Sequence, residues 1–132
     1  MRIFIGGSKT LKKLTPAMIS ALECVCREGH TVYVGDCFGA DRLVQEYLAK
    51  RGYDNVWVFA SGRKCRNNMG RFSTIYIPAD DREGFEFYRA KDEIMAVKAD
   101  CGLMFWDGKS RGTRCNIDDL YEQEKFTTVI VY

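Results

Sequence analysis

The sequence predicts an α/β fold: a mainly parallel sheet of about five strands, covered by helices on both faces. Two observations predict it. Short apolar runs rich in β-branched residues alternate with segments whose apolar residues recur at helical spacing. Glycines and hydroxyl residues punctuate the junctions at intervals suited to right-handed β-α-β units. Residues 1–132 fit one domain with room for a full core, and no linker, repeat or low-complexity segment divides them.

Arg2 to Ile5 reads as the first strand, ending at Gly6-Gly7-Ser8. Thr15-Pro16 supplies an N-cap and first residue for a helix whose apolar positions, Met18, Ile19, Leu22, Val25 and Cys26, follow helical spacing. Thr31 to Val34 is the second strand, and Gly35 to Asp41 turns into a helix over about Ala40 to Lys50. Leu43, Val44, Tyr47 and Leu48 form its buried stripe. Asn55 to Phe59 is the third strand, followed by a less regular stretch in which Ile75-Tyr76-Ile77 is a candidate extra strand. A helix over about Gly84 to Lys98 turns Phe87, Ile94, Met95 and Val97 toward the core. Gly102 to Phe105 is the fourth strand, a last helix follows Thr113, and Thr128 to Val131 closes the sheet.

The bulk properties exclude several classes. A net charge of +2 and a pI near 8.2 are too mild to argue for nucleic-acid binding by charge alone. No apolar run approaches the ~20 residues of a membrane span. The first residues are broken by glycine too soon for a signal peptide, so a cytoplasmic location is expected. Six cysteines at 24, 26, 37, 65, 101 and 115 contain no C-x-x-C pair, and His30 is the one histidine. Reduced thiols and no metal site are expected.

In parallel sheets, ligands collect outside the C-terminal ends of the strands. Three suggestive loops leave such ends. The third, Asp107-Gly108-Lys109-Ser110-Arg111-Gly112-Thr113, places glycines, hydroxyls and basic residues between a strand and a helix. Backbone N–H groups and a helix N-terminus there suit a phosphate. Gly108-Lys109-Ser110 is not a Walker loop, because five residues rather than four separate Gly102 from Gly108, and most of them are strand. The competing reading is a plain turn with Thr113 as N-cap. Gly35-Asp36, with Gly39-Ala40-Asp41, forms the second loop; Asp41 either binds a ribose hydroxyl or complements the helix dipole. Gly6, Gly7, Ser8 and Lys9 form the first. Arg63, Lys64, Arg66 and Arg71 cluster in a loop that covers a ligand, touches nucleic acid or is simply solvated. Asp92 and Glu93 are candidate acid-base groups, with helix-surface ion pairing as the alternative.

G-G-S after the first strand, G-x-x-x-G-A-D after the second and D-G-x-S-x-G-T after the fourth resemble the SLOG superfamily, in its small stand-alone branch related to YspA and YpsA. The resemblance runs from Met1 to Tyr132, supported by Ile77-Pro78-Ala79-Asp80, Lys91-Asp92-x-x-Met95 and Ala99-Asp100. It implies a Rossmann-like three-layer α/β/α sandwich that binds nucleotides or nucleotide sugars, and a homodimer. Relatives in that superfamily include phosphoribohydrolases and single-stranded-DNA-binding proteins of the DprA type. The hydrolases carry P-G-G-x-G-T-x-x-E; counted from Gly112-Thr113, Asn116 stands at the Glu position here, and an amide takes up no proton at neutral pH.

The expected function is therefore binding of a nucleotide or nucleotide sugar, with no cofactor required. Gly6, Gly7, Ser8, Lys9, Gly35, Asp36, Gly39, Ala40, Asp41, Asp107, Gly108, Ser110, Gly112, Thr113 and Asn116 are the candidate binding residues. The first alternative is an N-glycosidic hydrolase or deoxyribosyltransferase-like enzyme using Asp92, Glu93 or Asp41. The second is a single-stranded nucleic-acid module using the loop at 63–71.

Overall fold

The computed structural model describes residues 1–132. Strands β1 (Arg2–Gly7), β2 (Thr31–Gly35), β3 (Val56–Ser61), β4 (Ser73–Ile77), β5 (Cys101–Trp106) and β6 (Thr127–Val131) form one parallel sheet in the order β4-β3-β2-β1-β5-β6. Helices α1 (Pro16–Arg27) and α2 (Ala40–Lys50) pack on one face. The other face carries α3 (Gly84–Lys98) and α4 (Arg111–Glu122). This is the expected α/β sandwich, with six strands where about five were expected. The sixth is β4: an edge strand with polar Ser73 and Thr74 and no fully buried residue gives little hydrophobic signal.

Strand alternation divides the core. Ile3 and Ile5 of β1 face α1 and α2, where Leu22, Val44 and Leu48 are fully buried. Phe4 faces the other way, against Met95, Met104 and Leu120. Thr15 Oγ1 accepts the Met18 N–H at 3.3 Å, so α1 starts where Thr15-Pro16 predicts. Gly39 caps α2 without a side-chain hydrogen bond. Glycine in place of a hydrogen-bonding cap costs only about a few tenths of a kcal/mol, whereas burying Val44 and Leu48 contributes roughly 2 kcal/mol each, so packing sets α2 in place.

Two expectations need correction. Helix α4 starts at Arg111, with Ser110 as N-cap, rather than after Thr113. Asp107 Oδ1 accepts the N–H groups of Lys109 and Ser110 at 2.9 and 2.7 Å, which turns the chain early and puts Thr113 inside the first turn. Val97 points outward, 64% exposed; α3 instead buries Ala90, Lys91, Met95 and Ala96.

Candidate functional site

The strand order places a switch point at the middle of the sheet. From β1 the chain proceeds outward through β2, β3 and β4 on one side, while β5 and β6 lie on the other. Loops leaving β1 and β5 therefore diverge to opposite faces and open a crevice at their C-terminal ends. A cleft of about 570 Å³ lies there.

One wall is a set of free backbone N–H groups. Those of Lys9 and Thr10, after β1, have no backbone partner, and neither do those of Arg111, Gly112 and Thr113 in the first turn of α4. The latter are the unpaired donors every helix start presents, backed by the positive end of the helix dipole. Thr113 is buried and lines the cleft, and its hydroxyl has no protein partner. Lys9 and Arg111 also line the cleft and form no ion pair.

Asp107 braces these two loops instead of facing the cleft. Its Oδ2 accepts from Thr10 Oγ1 at 2.7 Å and from Ser110 Oγ at 2.8 Å. The Asp107 N–H donates to Ser8 Oγ at 3.1 Å. The Ser110 amide, followed by the Thr10 hydroxyl, holds the carboxyl far below the usual carboxylate range. Tyr132 Oη lies 2.9 Å from Thr10 Oγ1 and joins the end of β6 to the brace.

The second loop acts as a buttress. Gly39 has φ +74°, and a Cβ there would meet Lys9 backbone atoms at about 2.4 to 2.5 Å. The Ala40 N–H donates to Ser8 O at 3.2 Å. The backbone that lies against Gly39-Ala40 is thus the β1 loop. Asp36 is buried; its carboxylate accepts from the backbone N–H and Nη2 of Arg66 at 2.9 and 2.8 Å. That pair anchors the basic loop, and the Arg66 guanidinium stacks on Tyr88 at 4.2 Å.

The floor is charged. Lys91 is buried and lines the cleft; its Nζ lies 3.2 Å from Asp92 Oδ1 and donates to Tyr88 O at 2.8 Å. Burial works against its charge, but Asp92, Asp41 and Asp36 outweigh it and raise the ammonium above its ordinary range. Asp41 is buried beside it, and burial pushes its carboxyl up to about 7. Gly35 makes room for this group: a Cβ there would meet Asp41 Oδ2 at 2.5 Å and Lys91 Cε at 3.2 Å. The mouth carries two cation–aromatic stacks, Arg66 on Tyr88 and Arg111 on Phe85 at 4.0 Å. Of the five basic side chains that line the cleft, Arg66, Arg89 and Lys91 are paired with Asp36, Asp119 and Asp92, so the unpaired charges of Lys9 and Arg111, next to the free N–H groups, are what favours an anionic ligand.

Among the sequence-predicted binding residues, Gly6, Gly7, Ser8, Lys9, Asp41, Ser110, Gly112, Thr113 and Asn116 line this one cleft. Gly35, Asp36, Gly39, Ala40, Asp107 and Gly108 do not; all but the exposed Gly108 support it from behind. Asp92 lines the cleft, whereas Glu93 pairs with Arg82 at 2.6 Å outside it. Asn116 Oδ1 accepts from Arg89 Nη1 at 3.4 Å, and the same guanidinium pairs with Asp119 at 2.7 Å. Sequence reasoning did not assign Thr10, Cys37, Phe85, Tyr88, Arg89, Lys91 or Arg111 to the site. A usable signal was present on α3, where Phe85, Tyr88, Arg89 and Asp92 share a face at spacings of three, four and seven.

The fold and cleft define an α/β protein of Rossmann-like architecture with an anion-adapted crevice at its switch point. No protein-family model and no curated protein matches the sequence. Among solved structures, the fold is similar to DNA processing protein A (DprA) of Helicobacter pylori, described for its unique single-stranded DNA binding mode. The TM-score is 0.72 at 16% identity over 98% of this chain. This chain spans 64% of that protein's length, just under two thirds. All six cysteines are free thiols, and no helix is long and apolar enough to cross a membrane.

Proposed function

We propose that the cleft binds a nucleoside 5′-phosphate unit, as a nucleotide or nucleotide sugar, in the manner of SLOG-type proteins. The observation that carries this reading is the convergence of free N–H groups from Lys9, Thr10, Arg111, Gly112 and Thr113 at the β1/β5 switch point. In this reading those amides and the Thr113 hydroxyl take the phosphate oxygens, with Lys9 and Arg111 adding charge. The base would lie at the mouth, beside the Arg66–Tyr88 and Arg111–Phe85 stacks. The reading is one of binding: Asn116 is an amide where the hydrolase motif has its acid.

Calorimetric titration with AMP, ADP-ribose, NAD and the other nucleoside monophosphates tests it. At least one binds, and Thr113→Val weakens it about tenfold, the value of one hydrogen bond to a charged group. Absence of binding by every compound overturns the reading.

A second reading is favoured by the fold similarity to DprA. A single-stranded nucleic acid would place one nucleotide in the cleft and run over the exposed Arg63 and Lys64 of the basic loop. It predicts salt-sensitive binding of an oligonucleotide that weakens when both residues become alanine. Binding of mononucleotides but not oligonucleotides rejects it.

A further inference from the structure

We propose that Asp41 and Asp92, both neighbouring the Lys91 ammonium in the cleft floor, read the cis-diol of a ribose and make the site selective for ribonucleotides over deoxyribonucleotides. This rests on the nucleotide reading of the same cleft. Lys91 needs one partner, and Asp92 Oδ1 at 3.2 Å supplies it. Asp41 is a second buried carboxylate in the same place, so the floor holds more acceptor capacity than the lysine uses. Asp41 Oδ2 accepts the Cys37 N–H at 3.1 Å, while Oδ1 has no protein partner. Asp92 Oδ2 has none either, its Oδ1 being the oxygen nearest Lys91.

These free oxygens share a cleft with the phosphate-adapted wall at α4. Above pH about 7, where Asp41 gives up its proton, the two carboxylates repel phosphate, so the part of a ligand that meets them is uncharged and rich in hydrogen-bond donors. Adjacent hydroxyls on a ribose present two such donors a short distance from a 5′-phosphate. A ligand lacking one hydroxyl leaves an acceptor dehydrated and unpaired, which is how polar sites discriminate strongly. Gly35 fits this role, because any side chain there would displace Asp41 and Lys91.

The experiment compares AMP, 2′-deoxy-AMP and 3′-deoxy-AMP by calorimetry on the unaltered protein, at pH 8 and one salt concentration. AMP binds about tenfold or more tightly than either deoxy compound. Equal affinities for all three overturn the diol reader and leave the nucleotide reading standing. Failure of all three to bind, together with ADP-ribose and NAD, overturns both. In Asp92→Asn, checked for folding by circular dichroism, the ratio of AMP to 2′-deoxy-AMP affinity moves toward one. A ratio unchanged in the folded variant overturns the role of Asp92. If that variant does not fold, the three-ligand comparison on the unaltered protein decides.

Discussion

Asp41 carries a stability cost with a defined pH signature. Its carboxyl is raised from 3.8 to about 7 in the folded protein, chiefly by burial, with Asp92 and Asp36 adding to the rise and Lys91 and the Cys37 N–H opposing it. Between those two values the folded state holds a proton that the unfolded chain has released. Stability therefore falls as pH rises from about 4 to about 7, and is level above that. The gap corresponds to about 4 kcal/mol of stability forgone at pH 8 relative to a neutral group in the same place. Asp41→Asn is such a group: near in size, uncharged and still able to accept the Cys37 N–H. Urea unfolding of both proteins at pH 5 and pH 8 reads the effect, since titrating groups remote from Asp41 cancel in the difference. The variant gains on the unaltered protein by a few kcal/mol between pH 5 and pH 8. A difference that does not change with pH refutes the assignment of a proton-retaining Asp41.

Other consequences follow from the braces and buttresses. Gly39→Ala puts a methyl on Lys9 backbone at a positive φ, so a drop of about 2 kcal/mol or more is expected in denaturant unfolding, with ligand affinity falling as the β1 loop shifts. Asp107→Ala frees Thr10 and Ser110 and loosens both phosphate loops; nucleotide affinity drops while circular dichroism stays unchanged. Leu48→Ala empties a fully buried position under α2 and lowers stability by about 2 to 5 kcal/mol in the same assay.

Much of this was legible in the sequence because the signals are local. Strand and helix periods place five of the six strands and all four helices, and glycine with hydroxyl residues marks the loops that meet at the cleft. The division of labour within those loops was not legible. Asp107 and Thr10 are 97 residues apart in the chain, and their contact turns Asp107 from a candidate ligand into a brace. Gly39 looks like room for a ligand until the Lys9 backbone is seen to fill it. Helix α3 misleads for a related reason. It buries Met95 and Ala96 against the sheet at one end, while Tyr88, Arg89 and Asp92 face the cleft at the other. No single apolar stripe runs its length, so Val97 was placed inward and Lys91 was not.

Backbone amide chemical-shift mapping with AMP tests the central claim most directly. Binding predicts the largest shifts at residues 8–10 and 111–113, the two loops whose free N–H groups meet at the switch point, with smaller changes at 88–92. Saturation with AMP that moves none of these amides, or that moves only residues remote from the cleft, contradicts it.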